Sequence, residues 1–202
     1  MAAIAVIGSG NIGGTLATKW AAAGHAVTLG ARDPDKPAIR DLAGVIGARR
    51  APIAQAVEGA DIVVFAVPGS AMAAMVSALG ARLDGKLVID TTNNVAGESM
   101  NSRNAIEAAA PGASYCRAFN SLGWEQFDRP VVGGVQADLF FCSPDGDDRG
   151  TAERLIADVG LRPVWVGGPE DVEVVDGVLS LWFTLVRKRG HGRRLAFKMI
   201  QE

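Results

Sequence analysis

The sequence predicts an α/β protein: a doubly wound, mostly parallel sheet followed by a small C-terminal strand-helix extension. Short, continuously apolar runs (AIAVI at 3–7, DIVVFAV at 61–67, KLVID at 86–90) alternate with longer stretches of helical periodicity. Continuous apolar runs suit strands buried on both faces of a parallel sheet, and right-handed crossovers wind such an alternation into two layers of helices. The third observation is a set of glycines, Gly8, Gly10 and Gly13, directly after the first apolar run.

The elements follow in order. Residues 3–7 form a strand. Residues 11–23 form a helix, with Ile12, Leu16 and Trp20 on one face and Gly24 as its stop. A second strand covers 26–30. Asp33-Pro34 reads as N-cap and first position of a helix reaching Gly47. The strand at 61–67 ends at Pro68-Gly69, a helix covers 70–80, and a strand covers 86–90. A polar loop at 91–102 leads to a short helix ending at Pro111. Strands at 114–119 and 136–142 are separated by a long loop containing 120–130. A helix at 147–159, a strand at 162–166 and a helix at 170–188 complete the chain.

At 202 residues, 49% hydrophobic, the chain can bury a sizeable core. The expected division is 1–145 for the main domain and 146–202 for the extension, the latter packing on the sheet and on a dimer partner. A net charge of -2 provides no field to gather nucleic acid or an anionic membrane surface. No apolar run approaches the roughly 18 residues a membrane span needs, and no basic segment precedes the first apolar stretch. Cys116 and Cys142 read as buried free thiols, and no Cys/His cluster has metal spacing. A cytoplasmic protein without metal is expected.

The last helix carries two apolar stripes. Val172, Val175, Leu179, Trp182 and Val186 make one; Val174, Val178, Leu181 and Leu185 make the other. A helix apolar over most of its circumference is covered on several sides, so the second stripe is expected to meet a second subunit in a homodimer, the alternative being a helix tucked under the 91–102 and 120–130 loops.

The glycines stand where a strand ends and a helix opens, which is the setting of the dinucleotide (Rossmann) fingerprint. Gly8 permits the tight turn, Gly10 admits the pyrophosphate to the backbone, and Gly13 allows close helix–strand packing. The anion then rests on unpaired N–H groups at the positive end of the helix. At the end of the second strand, 29-LGARDPDK-36, Ala31 and Arg32 stand where an NAD site carries an acid. A guanidinium cannot accept from a ribose hydroxyl but meets a 2′-phosphate with charge-assisted bonds, and Lys36 adds a second cation. The cofactor expected is NADP.

Three further loops lie at carboxyl ends of strands: 66-AVPGSA-71, 90-DTTNNV-95 and 118-AFNSLGWEQF-127. The first is short and apolar, suited to backing a nicotinamide or ribose. Asn93 and Asn94 in the second, with Asn120, Ser121, Leu122 and Trp124 in the third, are the candidates for binding a second substrate. His25 reads as structural. His191 lies in a basic run, 187-RKRGHGRR-194, that is either solvated or a dock for an anionic ligand tail. No general acid, base or nucleophile stands out, and no catalytic residue is assigned. That favours hydride exchange between two redox cofactors, which depends mostly on positioning.

Over nearly all its length the chain resembles the F420:NADP oxidoreductase family, the NADPH-dependent reductases of the deazaflavin coenzyme F420. The resemblance rests on IAVIGSGNIGGTLATKWAAAGHAVTLGARDP, DIVVFAVP, YCRAFNSLGW, ADLFFCSPDG, LRPVWVGGPEDVEVVDGVLSLW and GHGRRLAFKMI. It implies a Rossmann domain with a small C-terminal part, usually dimeric, exchanging hydride between NADP(H) and the deazaflavin. It further implies that Ser9, Asn11 and Ile12 line the pyrophosphate and that Arg32 binds the 2′-phosphate. Ala31 stands where family members commonly have serine. Val67, Pro68 and Gly69 would border the nicotinamide, and Asn120 to Trp124 would form the inner wall of the deazaflavin pocket. Two other readings stay open: an NADPH reductase of a flavin, quinone or small carbonyl or imine compound, and an NADP-binding sensor without turnover.

Overall fold

The computed structural model describes residues 1–202, which fall into two compact units, Met1–Tyr115 and Cys116–Glu202. The first unit runs β1 (Ala3–Ile7), α1 (Asn11–Ala22), β2 (Ala26–Ala31), α2 (Pro37–Ile46), β3 (Arg49–Pro52), α3 (Ile53–Glu58), β4 (Ile62–Phe65), α4 (Met72–Leu79), β5 (Leu87–Asp90) and α5 (Arg103–Ala109). It closes within β6 (Ser114–Arg117), so the change of unit lies inside a strand, earlier in the chain than residue 145.

These strands make one six-stranded sheet in the order β3-β2-β1-β4-β5-β6. β1 pairs in parallel with β2 on one side (Ile4↔Val27) and β4 on the other (Ile4↔Ile62). Ile4 to Ile7 are all buried, which is why this strand has no polar face. Leu16, Ala17 and Trp20 form the buried stripe of α1. The chain winds outward from β1 to β3, then returns to β4 on the opposite side of β1. The connections after β1 and β4 therefore part at the carboxyl ends of neighbouring strands, the switch point where an open α/β sheet leaves a crevice.

Two parts of this unit differ from expectation. Helix α2 starts at Pro37, not Pro34, because the Asp33 carboxylate accepts the Asp35 N–H at 3.1 Å and closes a turn of its own instead of capping a helix. Pro37 takes the first turn, where a missing N–H is harmless. Residues 48–60, given no element in the sequence reading, supply β3 and α3. β3 is Arg-Arg-Ala-Pro, without apolar alternation. It is an edge strand registered on β2 (Thr28↔Arg49 through Ala31↔Pro52), and an edge tolerates both charge and proline.

The second unit contains α6 (Trp124–Asp128), β7 (Val131–Val132), β8 (Val135–Gln136), β9 (Asp138–Phe141), α7 (Asp147–Val159), β10 (Arg162–Trp165) and α8 (Val172–Phe183). The loop expected over 120–130 thus holds a helix. The strand expected over 136–142 is divided: β8 folds back on β7 across Gly133 (φ 58°) and Gly134 (φ 81°), the paired positive angles of a two-residue hairpin turn. β9 and β10 pair in parallel as a separate two-stranded sheet. Helix α8 runs on into a π-helical turn, Thr184–Lys188. Its first stripe is buried from Val172 to Trp182, whereas Val174 and Leu181 of the second are 53% and 50% exposed. Beyond it the chain has no helix or strand, yet runs back beside β9, with the Asp138 N–H donating to the Phe197 carbonyl at 3.0 Å. No helix is long and apolar enough to cross a membrane.

Candidate functional site

The turn from β1 to α1 is shaped by what surrounds each glycine. Gly8 has φ 103°, and a Cβ there would lie 2.4 Å from the Ala66 carbonyl oxygen. A Cβ at Gly13 would lie 1.9 Å from the Gly8 carbonyl oxygen. Both positions are closed to side chains by the protein's own backbone. Gly10 differs: a Cβ there meets nothing within 4 Å. The open space lies at the N-terminus of α1, whose N-cap is Gly10, with no capping side chain and no acidic residue in the first turn. Asn11 is exposed and Ile12 half-exposed at this end. Unsatisfied N–H groups and the helix dipole make it a cradle for an anion.

A cleft of about 670 Å³ joins this turn to the end of β2. Gly8, Ser9, Ala31, Arg32, Asp33, Lys36, Val67 and Pro68 line it, so the residues picked from three separate motifs meet in one place. Asp33 is held by the Asp35 N–H, and Asp35 is paired with Arg50 at 3.2 Å. The cleft is also lined by Ile39, Ile53, Ala71 and Met75, which sequence reasoning missed. Ala71 and Met75 were within reach, being one helical turn apart directly after the Val-Pro-Gly loop. Ile53 carried no signal, since it arrives on the element after an edge strand.

Gly69 does not line the cleft but packs beneath the next loop: a Cβ there would lie 2.6 Å from the Asn94 nitrogen and 2.7 Å from the Asn93 carbonyl carbon. That loop is anchored by Asp90, a fully buried carboxylate at the end of β5. One oxygen accepts the Thr92 N–H (2.9 Å) and hydroxyl (2.7 Å); the other accepts the Ser102 N–H (2.8 Å) and the Tyr115 hydroxyl (3.2 Å). Both ends of the 91–102 loop are tied to one side chain, which holds Asn93 and Asn94, both half-buried, against Gly69.

In the second unit, Asn120, Ser121 and Leu122 are buried and Trp124, half-buried, opens α6. Phe119 just before them has φ 60°, a left-handed conformation that costs a bulky residue about 1–2 kcal/mol. Asn120 donates to Asp176 at 3.2 Å, and the same oxygen receives Nε and Nη2 of the buried Arg117 at 2.9 and 2.7 Å. A buried ion pair adds little net stability but strongly resists losing one partner, so it fixes the groups it touches.

The basic run at 187–194 is neither simply solvated nor open along its length. Arg193 holds Glu125 through two nitrogens, at 2.6 and 3.2 Å, and Arg194 donates to the Val131 carbonyl at 3.2 Å. Burial pushes the Glu125 carboxyl up, but the Arg193 hydrogen bond and charge outweigh it and hold it below the usual range. His25 accepts the Ala2 N–H at 3.2 Å, a structural contact. Both cysteines are free and buried, and burial pushes the Cys142 thiol up to about 12.

Compared with known families, residues 3–94 match the one described as NADP oxidoreductase, coenzyme F420-dependent. Curated relatives extend the likeness along the chain. The F420-dependent NADP reductase of Methanothermobacter marburgensis is 28% identical over 208 residues, covering 90% of this chain and 91% of its own. That of Methanothermobacter thermautotrophicus is 28% identical over 210 residues, covering 92% and 90%. A metalloreductase, STEAP3 of Rattus norvegicus, is 23% identical over 182 residues, which is 87% of this chain but 36% of that protein. Among solved structures, a candidate F420-dependent NADP reductase from Arthrobacter sp. FB24 matches over 100% of both chains with a TM-score of 0.84 at 24% identity, a likeness of fold.

Proposed function

We propose that this chain is an NADP-dependent oxidoreductase that exchanges a hydride between NADP(H) and coenzyme F420. The observation that carries the cofactor half is the meeting of Gly8 and Ser9, from the glycine turn, with Arg32 and Lys36 in one cleft. The acceptor half is supported by the F420-dependent NADP reductases that match it over about nine-tenths of both chains.

The residues fit the cofactor. The first-turn N–H groups of α1, with Ser9 and Asn11, hold the diphosphate. Arg32, with Lys36, takes the 2′-phosphate, while Asp33 spends one carboxylate oxygen on its own turn. Ile39, Ile53, Ala71 and Met75 provide apolar walls with Val67 and Pro68. When bound, the nicotinamide supplies or takes the hydride. The chain's part is orientation: in the first unit the Asp90-anchored Asn93–Asn94 loop and Gly69 are the candidates for it, and in the second unit the Asn120–Trp124 turn is the candidate for the acceptor. A homodimer through the stripe Val174, Val178, Leu181 and Leu185, of which Val174 and Leu181 are exposed, belongs to the same proposal, as does a cytoplasmic location.

The deciding assay follows NADPH absorbance with F420, FMN and menadione in parallel. Oxidation with F420 well above the other two is expected. Turnover with FMN or menadione but not F420 replaces the acceptor, and NADPH binding without turnover on any of them leaves a sensor.

A further inference from the structure

We infer that the C-terminal segment 192–199 is a working part of the acceptor site: a strap that clasps helix α6 through Glu125 and Gln126 and so holds the Asn120–Trp124 turn in shape. This rests on the assignment of that turn to the acceptor.

The strap forms no helix or strand, yet it is pinned along its length. Gln126, wholly buried, donates from Nε2 to the Arg193 carbonyl at 3.0 Å and the Leu195 carbonyl at 3.2 Å. Trp182 of α8 donates its indole N–H to the same Leu195 carbonyl at 3.0 Å. Arg193 closes the clasp from its own side, with Nε 2.6 Å and Nη2 3.2 Å from the Glu125 carboxylate. Farther along, the Met199 N–H (2.6 Å) and the Lys198 ammonium (2.9 Å) both reach the buried Asp138 carboxylate.

What the strap holds is a helix that cannot hold itself. α6 has 5 residues, too few for an isolated helix to persist in water. Its buried Phe127 meets Phe119 edge to face, ring centres 5.5 Å apart at 88°. Phe119 is the one non-glycine residue of the chain with positive φ, a conformation that persists only where the surroundings impose it. At the entry to α6 there is no slack either: a Cβ on Gly123 would lie 3.1 Å from the Arg193 carbonyl oxygen. Contacts therefore run unbroken from the strap to Gln126 and Glu125, through α6 to Phe127, and on to Phe119, the neighbour of Asn120. The segment is a positioning device acting through α6.

Charge alone suggests that Arg193 greets an anionic ligand. The two roles predict opposite signs for Glu125. A docking arginine is freed when Glu125 is neutralised, so binding improves; a clasp is opened, so binding worsens. Steady-state kinetics with NADPH and F420 on Glu125→Gln, Arg193→Gln, Gln126→Leu and the double swap Glu125→Arg/Arg193→Glu separate them. Each neutralisation is expected to raise KM for F420 about two- to fivefold. Gln126→Leu, which strands the Arg193 carbonyl and leaves the Leu195 carbonyl to Trp182 alone, is expected to raise it roughly tenfold. KM for NADPH stays unchanged and the swap returns KM for F420 toward wild type. A lower KM for F420 in Glu125→Gln, or no change in any variant, overturns the inference.

Limited trypsin digestion with intact-mass readout tests the clasp without turnover. Cuts after Arg194 and Lys198 should be slow in wild type and faster in Glu125→Gln, with the melting temperature nearly unchanged. Equal rates overturn the clasp. If wild type does not reduce F420, the proposed function and with it the acceptor role fall, while the digestion still decides the clasp.

Discussion

Alanine at Gly10 and alanine at Gly13 should separate ligand binding from folding within a single turn. A Cβ at Gly13 would stand 1.9 Å from the Gly8 carbonyl oxygen, about 1.5 Å short of the 3.4 Å of an ordinary contact. Helix α1 would have to withdraw from the strand or distort, at the roughly 1–3 kcal/mol typical of overpacking. The better helix propensity of alanine offsets up to about 1 kcal/mol of that. A net loss of about 1–2 kcal/mol lowers Tm by about 2–8 °C in a chain of this size. At Gly10 there is nothing within 4 Å to strike. Alanine is a somewhat poorer N-cap than glycine, so the stability cost stays at or below about 1 kcal/mol. Its methyl, however, fills the space over the first-turn N–H groups. Losing one or two hydrogen bonds to a charged group costs about 2–4 kcal/mol, a 30- to 1,000-fold rise in Kd for NADPH. Calorimetric titration with NADPH beside thermal melts of both variants measures the two effects. If Gly10→Ala binds NADPH within threefold of wild type, the diphosphate does not rest on this helix end and the cofactor reading fails.

Arg32→Ala should lower the ratio of NADP to NAD affinity about 10- to 100-fold, since a charge-assisted contact to phosphate is lost. The gap should shrink with added salt because Arg32 is exposed. A ratio that does not move would assign the 2′-phosphate elsewhere. Burial pushes the Asp138 carboxyl up, but hydrogen bonds from Arg162, the Met199 N–H and Lys198 outweigh it and hold it below the ordinary value. A depressed carboxyl stabilises the fold above its unfolded pKa, near ~3.9, and that contribution is lost as pH falls through the folded value. Denaturant midpoints should therefore drop as pH falls below about 5. Asp138→Asn should lower the midpoint at neutral pH and flatten this limb; an acid limb of undiminished slope would count against the clamp. With the Cys142 thiol pushed up to about 12, only about one molecule in ten thousand carries its thiolate at pH 8. An aromatic disulfide reagent should find no thiol in the native protein at that pH and both cysteines after guanidinium; prompt reaction in the native state would contradict the burial.

Signals confined to a few neighbouring residues were legible in the chain. β1, the glycine turn and α1 are written within Ala3–Ala22, and the β4 and β5 runs are apolar enough to declare themselves. Arg32 could be singled out because it stands at the end of β2, and it does line the cleft. β3 was not, since Arg-Arg-Ala-Pro becomes a strand only by lying against β2. α6 was hidden for a similar reason: it depends on Phe119, Gln126 and the returning C-terminal segment. The start of α2 went to Pro37 because Asp33 found a nearer donor than the helix end, a competition between two local bonds that spacing does not resolve.

Periodicity and glycine spacing by themselves determined the parallel α/β class and the glycine turn between its first strand and helix, because backbone sterics and burial act over a few residues. Tertiary structure alone decided what each charged side chain is for. Arg117 meets Asp176 across 59 positions, Met199 meets Asp138 across 61, and Arg193 meets Glu125 across 68. A charge read in sequence has no partner until the fold supplies one, and the partner determines whether it greets a ligand or holds the protein together.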